Sequence, residues 1–129
     1  MILLTLISAA TTVELSDRLL WTDEYQWSPV VTEARTGTNG ALHLHVGKRL
    51  AGRPITLDGQ ASAAWIPRSL CAQLDAWAAL PDATFALLLR GTSRSVRLLE
   101  FRADPIWKLL DGEHTSELPY APFFRFIEV

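Results

Sequence analysis

Only one stretch of this chain repeats at helical spacing. Between Pro67 and Pro81, the residues Leu70, Leu74, Trp77 and Ala78 recur at i, i+4, i+7 and i+8, which places them on one stripe of a helix. Pro67 is tolerated in a first turn and Pro81 cannot continue the helix. Roughly four turns are implied at ~3.6 residues per turn. Everywhere else the apolar residues come in short extended runs punctuated by Gly, Asn, Asp and Pro. That pattern predicts a mainly β, α+β fold: an antiparallel β-sandwich or split barrel with one flanking α-helix.

The extended runs are easily followed. Ile2 to Ile7 is rich in Ile and Leu, and Val13 and Leu15 continue an extended pattern. Ser16-Asp17 reads as a turn, followed by Leu19-Leu20-Trp21 and then Tyr25-Gln26-Trp27, where in a strand Tyr25 and Trp27 share one face. Val30 to Thr36 is extended, Asn39-Gly40 supplies a tight turn, and Leu42 to Val46 alternates as a half-buried strand. Its apolar face carries Leu42, Leu44 and Val46, and its polar face His43 and His45. Arg53 to Gly59 gives another short strand ending in an Asp-Gly turn. A hairpin is expected from Thr84–Arg90 and Ser95–Arg102 around Gly91-Thr92-Ser93. On the return strand both faces are partly apolar, and Asp104-Pro105 interrupts it. Residues 108–122 read as a long irregular loop, and Phe123 to Ile127 as a final strand.

Composition bounds the function. With 129 residues and 49% apolar against 20% charged side chains, one folded domain over residues 1–129 is expected. A formal net charge of -2 argues against a dedicated nucleic-acid binder. The single cysteine, Cys71, excludes an intramolecular disulfide, a CxxC centre and a multi-cysteine zinc site. The N-terminal apolar run has no Lys or Arg before Arg18 and falls short of a membrane span, so a β-strand fits it better than a signal peptide or an anchor.

Catalytic chemistry is hard to find. His43-x-His45 is the most metal-like feature, because alternate residues share a strand face, yet a third ligand (Asp58, Glu113 or His114) would have to come from elsewhere. Asp23-Glu24 are adjacent and point apart in a strand. Cys71 borders the helical stripe, where a free cysteine packs as a small hydrophobe. Arg90, Arg94, Arg97 and Arg102 form a local basic edge on the second hairpin, with Arg97 and Arg102 at opposite parity. No GxSxG, P-loop, GxGxxG or HExxH occurs. The expectation is therefore a protein that is not an enzyme, with no cofactor and no metal, His43 and His45 being the only weak metal candidates. Five tryptophans in a chain of this size point instead to packing and contact surfaces.

Several segments together resemble small phage and prophage proteins encoded near the tail tape-measure gene. They are Leu19-Leu20-Trp21-Thr22-Asp23-Glu24-Tyr25-Gln26-Trp27-Ser28-Pro29-Val30, then Gly52-Arg53-Pro54-Ile55-Thr56-Leu57, Trp65 before a helix, and the hairpin with Phe85, Leu87, Leu89 and Phe101-Arg102. The resemblance implies a tail-tip or distal-tail structural component with a tail-tube-like fold. Its expected setting is the virion tail, assembled in the bacterial host cytoplasm. The expected partners are copies of itself in a ring, a hexamer by preference, together with tail-tube and baseplate or hub proteins. DNA would only pass through, and no membrane anchoring is expected. Interface candidates are Ile2, Leu4, Leu6, Trp21, Tyr25, Trp27, Trp107 and Phe123; the strand 1–15 and the loop 108–122 are candidates for ordering by partners. Two alternatives stand beside this: a small metal-binding or enzymatic domain using His43 and His45, and a tail-assembly adaptor absent from the mature virion.

Overall fold

A computed structural model describes residues 2–60, 62–106 and 118–129. It has one helix, α1 (Arg68–Ala78), and ten strands: β1 (Ile2–Leu6), β2 (Thr11–Leu15), β3 (Leu20–Trp21), β4 (Val30–Thr36), β5 (Leu42–Lys48), β6 (Pro54–Asp58), β7 (Ile66–Pro67), β8 (Phe85–Leu89), β9 (Thr92–Pro105) and β10 (Pro119–Glu128). Eight strands form one antiparallel sheet in the order β2-β1-β8-β9-β10-β6-β3, with β7 pairing the start of β10. The other two, β4 and β5, pair only with each other among the described residues. The architecture is α+β with one helix and two antiparallel sheets. The large sheet is open, because β2 and β3 end its order rather than meeting.

Packing explains the shape of that sheet. A seven-strand path is about 29 Å wide at ~4.8 Å per strand, whereas a helix of this length covers only about 16 Å. Yet residues from both ends, Leu4 and Leu15 on one side and Ile55 and Leu57 on the other, lie in one buried cluster with Leu74 and Trp77 of the helix. The sheet must fold toward itself so that its two halves share an interior, a sandwich-like arrangement with α1 packed against β7, β9 and β10. Burial alternates along the strands, as in Phe85, Leu87 and Leu89 of β8 and Phe124 and Phe126 of β10.

Strand β9 carries the feature that allows this. Its pairing with β10 slips between Arg125, opposite Glu100, and Phe126, opposite Leu98, which leaves Leu99 as an extra residue. A bulge flips side-chain parity and bends the strand. Before it, Val96 and Leu98 face inward; after it, Phe101 and Ala103 do. The mixed faces in the sequence are thus one inner face whose parity changes once. Arg97 and Arg102, expected on different sides, share the outer face.

Other expectations need correction. The N-terminal extended run is two strands, joined by a turn in which Ala10 takes φ 51. Residues 22–25 form turns, Gln26 bends and Trp27 is irregular, so no strand holds Tyr25 and Trp27 together. The second hairpin turns at Arg90-Gly91, both with positive φ (51 and 78), rather than at Gly91-Thr92-Ser93. Strand β9 continues through Asp104-Pro105, and β10 begins at Pro119, four residues before the expected start. Residues 108–117 of the expected 108–122 loop, and Trp107 before them, lie outside the described residues.

Candidate association surface and an arginine-tryptophan cavity

The β4–β5 ribbon forms for local reasons. Gly40 adopts φ 81, the Gly37 amide donates to the Ala41 carbonyl at 2.7 Å, and the Ala41 amide donates to Asn39 Oδ1 at 3.0 Å. At its base the Arg49 amide donates to the Pro29 carbonyl at 2.6 Å. The register sets Thr32 opposite Val46, Ala34 opposite Leu44 and Thr36 opposite Leu42 on one face. The other face sets Glu33 opposite His45 and Arg35 opposite His43. One face is apolar and the other polar, yet every residue of both strands is exposed. Leu42 is 65% exposed, Leu44 57% and Val46 68%. The half-buried strand expected from the alternation is therefore corrected: the apolar face is present, but none of the described residues covers it.

On the polar face, His43 and His45 do lie on the same side, as expected. The nearby carboxylate, Glu33, accepts from Arg35 at 2.9 Å. Asp58 is in β6 of the other sheet, and Glu113 and His114 lie outside the described residues. Among the described residues no group of three His, Cys, Asp or Glu side chains is placed to hold a metal.

The N-terminal candidates turn out differently. Strand β1 is hydrogen-bonded on both sides, to β2 and to β8, so it offers no free edge. Ile2, Leu4 and Leu6 are 5%, 0% and 5% exposed and belong to the core. As contacts for a neighbouring subunit they are corrected: their apolar surface is already used within the chain. Phe123 is half-buried on the outer face of β10, with the Arg102 guanidinium 4.4 Å from its ring centre.

Trp21, Tyr25 and Trp27 line a second feature, a cavity of about 490 Å³ shared with Glu24, Pro29, Arg53, Leu89, Arg90, Thr92 and Arg94. Trp21 is buried, Trp27 half-buried and Tyr25 almost wholly exposed. Three guanidiniums surround the Trp21 ring, with Arg53, Arg94 and Arg90 at 4.9, 5.2 and 5.5 Å from its centre. The cavity wall is fixed by Asp23, whose carboxylate accepts from the Thr56 amide at 2.9 Å and the Thr56 hydroxyl at 3.0 Å. This anchors the turn after β3 onto β6. Arg53 Nη2 donates to the Glu24 carbonyl at 2.6 Å, and Arg90 pairs with the Glu24 carboxylate. Arg94 occupies an inner-face position of β9, and its nearest carboxylate is Glu128 at 4.0 Å. The sequence marked Trp21 and the hairpin arginines separately; Arg53 was missed as a partner, because only the pairing of β3 with β6 sets it beside Trp21.

A larger cavity of about 530 Å³ lies between α1 and the sheet, lined by Cys71, Asp75, Phe101 and Tyr120 among others. Burial pushes the Cys71 thiol up to about 11, so at neutral pH it is protonated and a poor nucleophile. No family model, curated protein or solved structure matches this chain.

Proposed function

We propose that this chain is a structural subunit of a bacteriophage tail tip, assembling with copies of itself into a ring that continues the tail channel. The observation that carries the reading is the β4–β5 ribbon, with an apolar face of Leu42, Leu44 and Val46 exposed to solvent. A two-stranded hairpin is marginal in water without a third strand or a packing surface. Such a ribbon makes physical sense when another molecule covers it. Copies joined head to tail use different patches on their two sides and can close into a ring. The ribbon supplies one such patch, and the open sheet ends at β2 and β3 offer edges for the other. The sandwich-like sheet with one flanking helix also suits the tail-tube-like layout implied by the resemblance in residues 13–103.

The test is association. Multi-angle light scattering and native mass spectrometry across a concentration series are expected to show oligomers, with ring-shaped particles by negative-stain electron microscopy. Mass spectrometry of purified particles from the parent phage or prophage should detect the chain. A protein that stays monomeric at every concentration and is absent from particles would refute the reading. An oligomer absent from particles would favour the assembly adaptor.

A further inference from the structure

We propose that the cavity around Trp21 is a binding site for a carboxylate group carried on an apolar stem. The first ground is unmet hydrogen bonding. Trp21 Nε1, Arg53 Nε and Arg94 Nη1 are each buried and have no hydrogen-bond partner. Trp21 itself is only 7% exposed. Buried donors are ordinarily satisfied, and one left alone is costly. Here three of them belong to residues lining one cavity.

The second ground is charge. Arg53, Arg90 and Arg94 crowd a single indole ring, and like charges this close repel one another unless anions lie between them. Glu24 answers Arg90 directly, and Glu128 stands 4.0 Å from Arg94. Asp23, in the same turn, keeps its charge but turns its two oxygens to Thr56 rather than to these guanidiniums. The cavity lining thus sets three arginines against one carboxylate, Glu24, an excess of positive charge that suits an anionic group. Guanidinium groups also offer the flat, paired donors that a carboxylate accepts.

The third ground is shape. Besides Thr92, the remaining walls are Trp27, Tyr25, Leu89 and Pro29, which would hold the carbon skeleton behind the charge. A cavity of about 490 Å³ has room for such a stem as well as the carboxylate itself. Two sources share this chemistry: the acidic side chain of a polypeptide and a small carboxylic acid.

The experiment is a titration of isotope-labelled protein followed by NMR at the Trp21 indole N–H and the Arg53 Nε–H. The probes are phenylacetate, a blocked alanine-rich peptide with one glutamate, the same peptide with glutamine, and inorganic phosphate. Phenylacetate, the glutamate peptide or both should shift both signals saturably. Tighter binding of the peptide assigns the site to a polypeptide partner, and tighter binding of phenylacetate to a small acid. Arg94→Gln should weaken the better probe by about tenfold or more, the scale of one charge-assisted hydrogen bond. The proposal is overturned if neither carboxylate moves the two signals, if the glutamine peptide binds as well as the glutamate one, or if phosphate binds tighter than both. It is also overturned if a folded Arg94→Gln protein, judged by an unchanged amide spectrum away from the cavity, binds as well as the parent. Because the titration uses the unmodified chain, it decides the matter even if that variant does not fold.

Discussion

Substituting Leu44 with lysine should separate folding from association. Leu44 lies at the middle of the ribbon's apolar face, opposite Ala34, and is 57% exposed. Fully burying a leucine side chain is worth ~1.5–3 kcal/mol. Covering the exposed part of Leu44 in a contact would therefore contribute about 1–2 kcal/mol, or roughly tenfold in the dissociation constant. A lysine there also brings a charge into an apolar contact, so tenfold is a lower bound. The folded chain has little at stake, since no core residue lies on the ribbon. Its unfolding free energy should change by no more than about 0.5 kcal/mol. Leu4→Ala is the opposite control: Leu4 is 0% exposed, and emptying such a site costs about 2–5 kcal/mol. Urea unfolding followed by tryptophan fluorescence gives the stability, and sedimentation velocity the association. A Leu44→Lys protein destabilised as much as Leu4→Ala, or one that still forms the intact oligomer, would rule out the ribbon face as the contact.

Three further outcomes are expected. Asp23→Ala should cost about 2–3 kcal/mol in urea unfolding, because it strips the partly buried Thr56 amide of a charged acceptor; a loss below about 0.5 kcal/mol would show that the turn after β3 is held some other way. Gly59→Ala should destabilise by about 1–3 kcal/mol, since a Cβ there would sit 2.9 Å from both the Pro122 ring and its carbonyl oxygen; a melting temperature equal to the parent's would contradict the packing. Cys71 keeps its proton in the folded state up to about 11 against an ordinary 9.0. The unfolded chain ionises first, so this contribution to stability is intact below pH 9 and is lost as pH rises toward 11. Comparing Cys71→Ser with the parent across that range isolates it, and equal slopes would refute it.

The legibility of this fold in its sequence varies with the range of the interaction. Helix α1 was readable because Pro67, Pro81 and the stripe of Leu70, Leu74 and Trp77 are all local. The β4–β5 ribbon was readable as a hairpin from Asn39-Gly40 and its alternation. Its exposure was not, because alternation shows that one face is apolar and says nothing of what lies against it. The turn between β1 and β2 contains no glycine or proline; Ala10 takes the left-handed conformation instead, so the usual turn chemistry gave no signal. The bulge at Leu99 left a trace, the two partly apolar faces of β9, that only the pairing with β10 makes interpretable. The cavity was the least legible feature. Trp21, Arg53 and Arg94 come from distant parts of the chain, and only the packing of β3, β6 and β9 brings them to one place.

The position of β1 in the sheet has a consequence for synthesis. Its partners are β2, a few residues later, and β8, where Leu6 meets Phe85 and Leu3 meets Leu88. On the ribosome the first hairpin is complete long before β8 exists. At ~5–20 residues per second, the intervening chain takes roughly 4–14 s to make. Through that interval the β1 edge and the inner side chains Ile2, Leu4 and Leu6 have neither their strand nor their core. An unpaired apolar edge is a template for joining other chains. The nascent protein is therefore most prone to aggregate early, and slower, cooler expression or a chaperone that shields the first hairpin should raise the soluble yield.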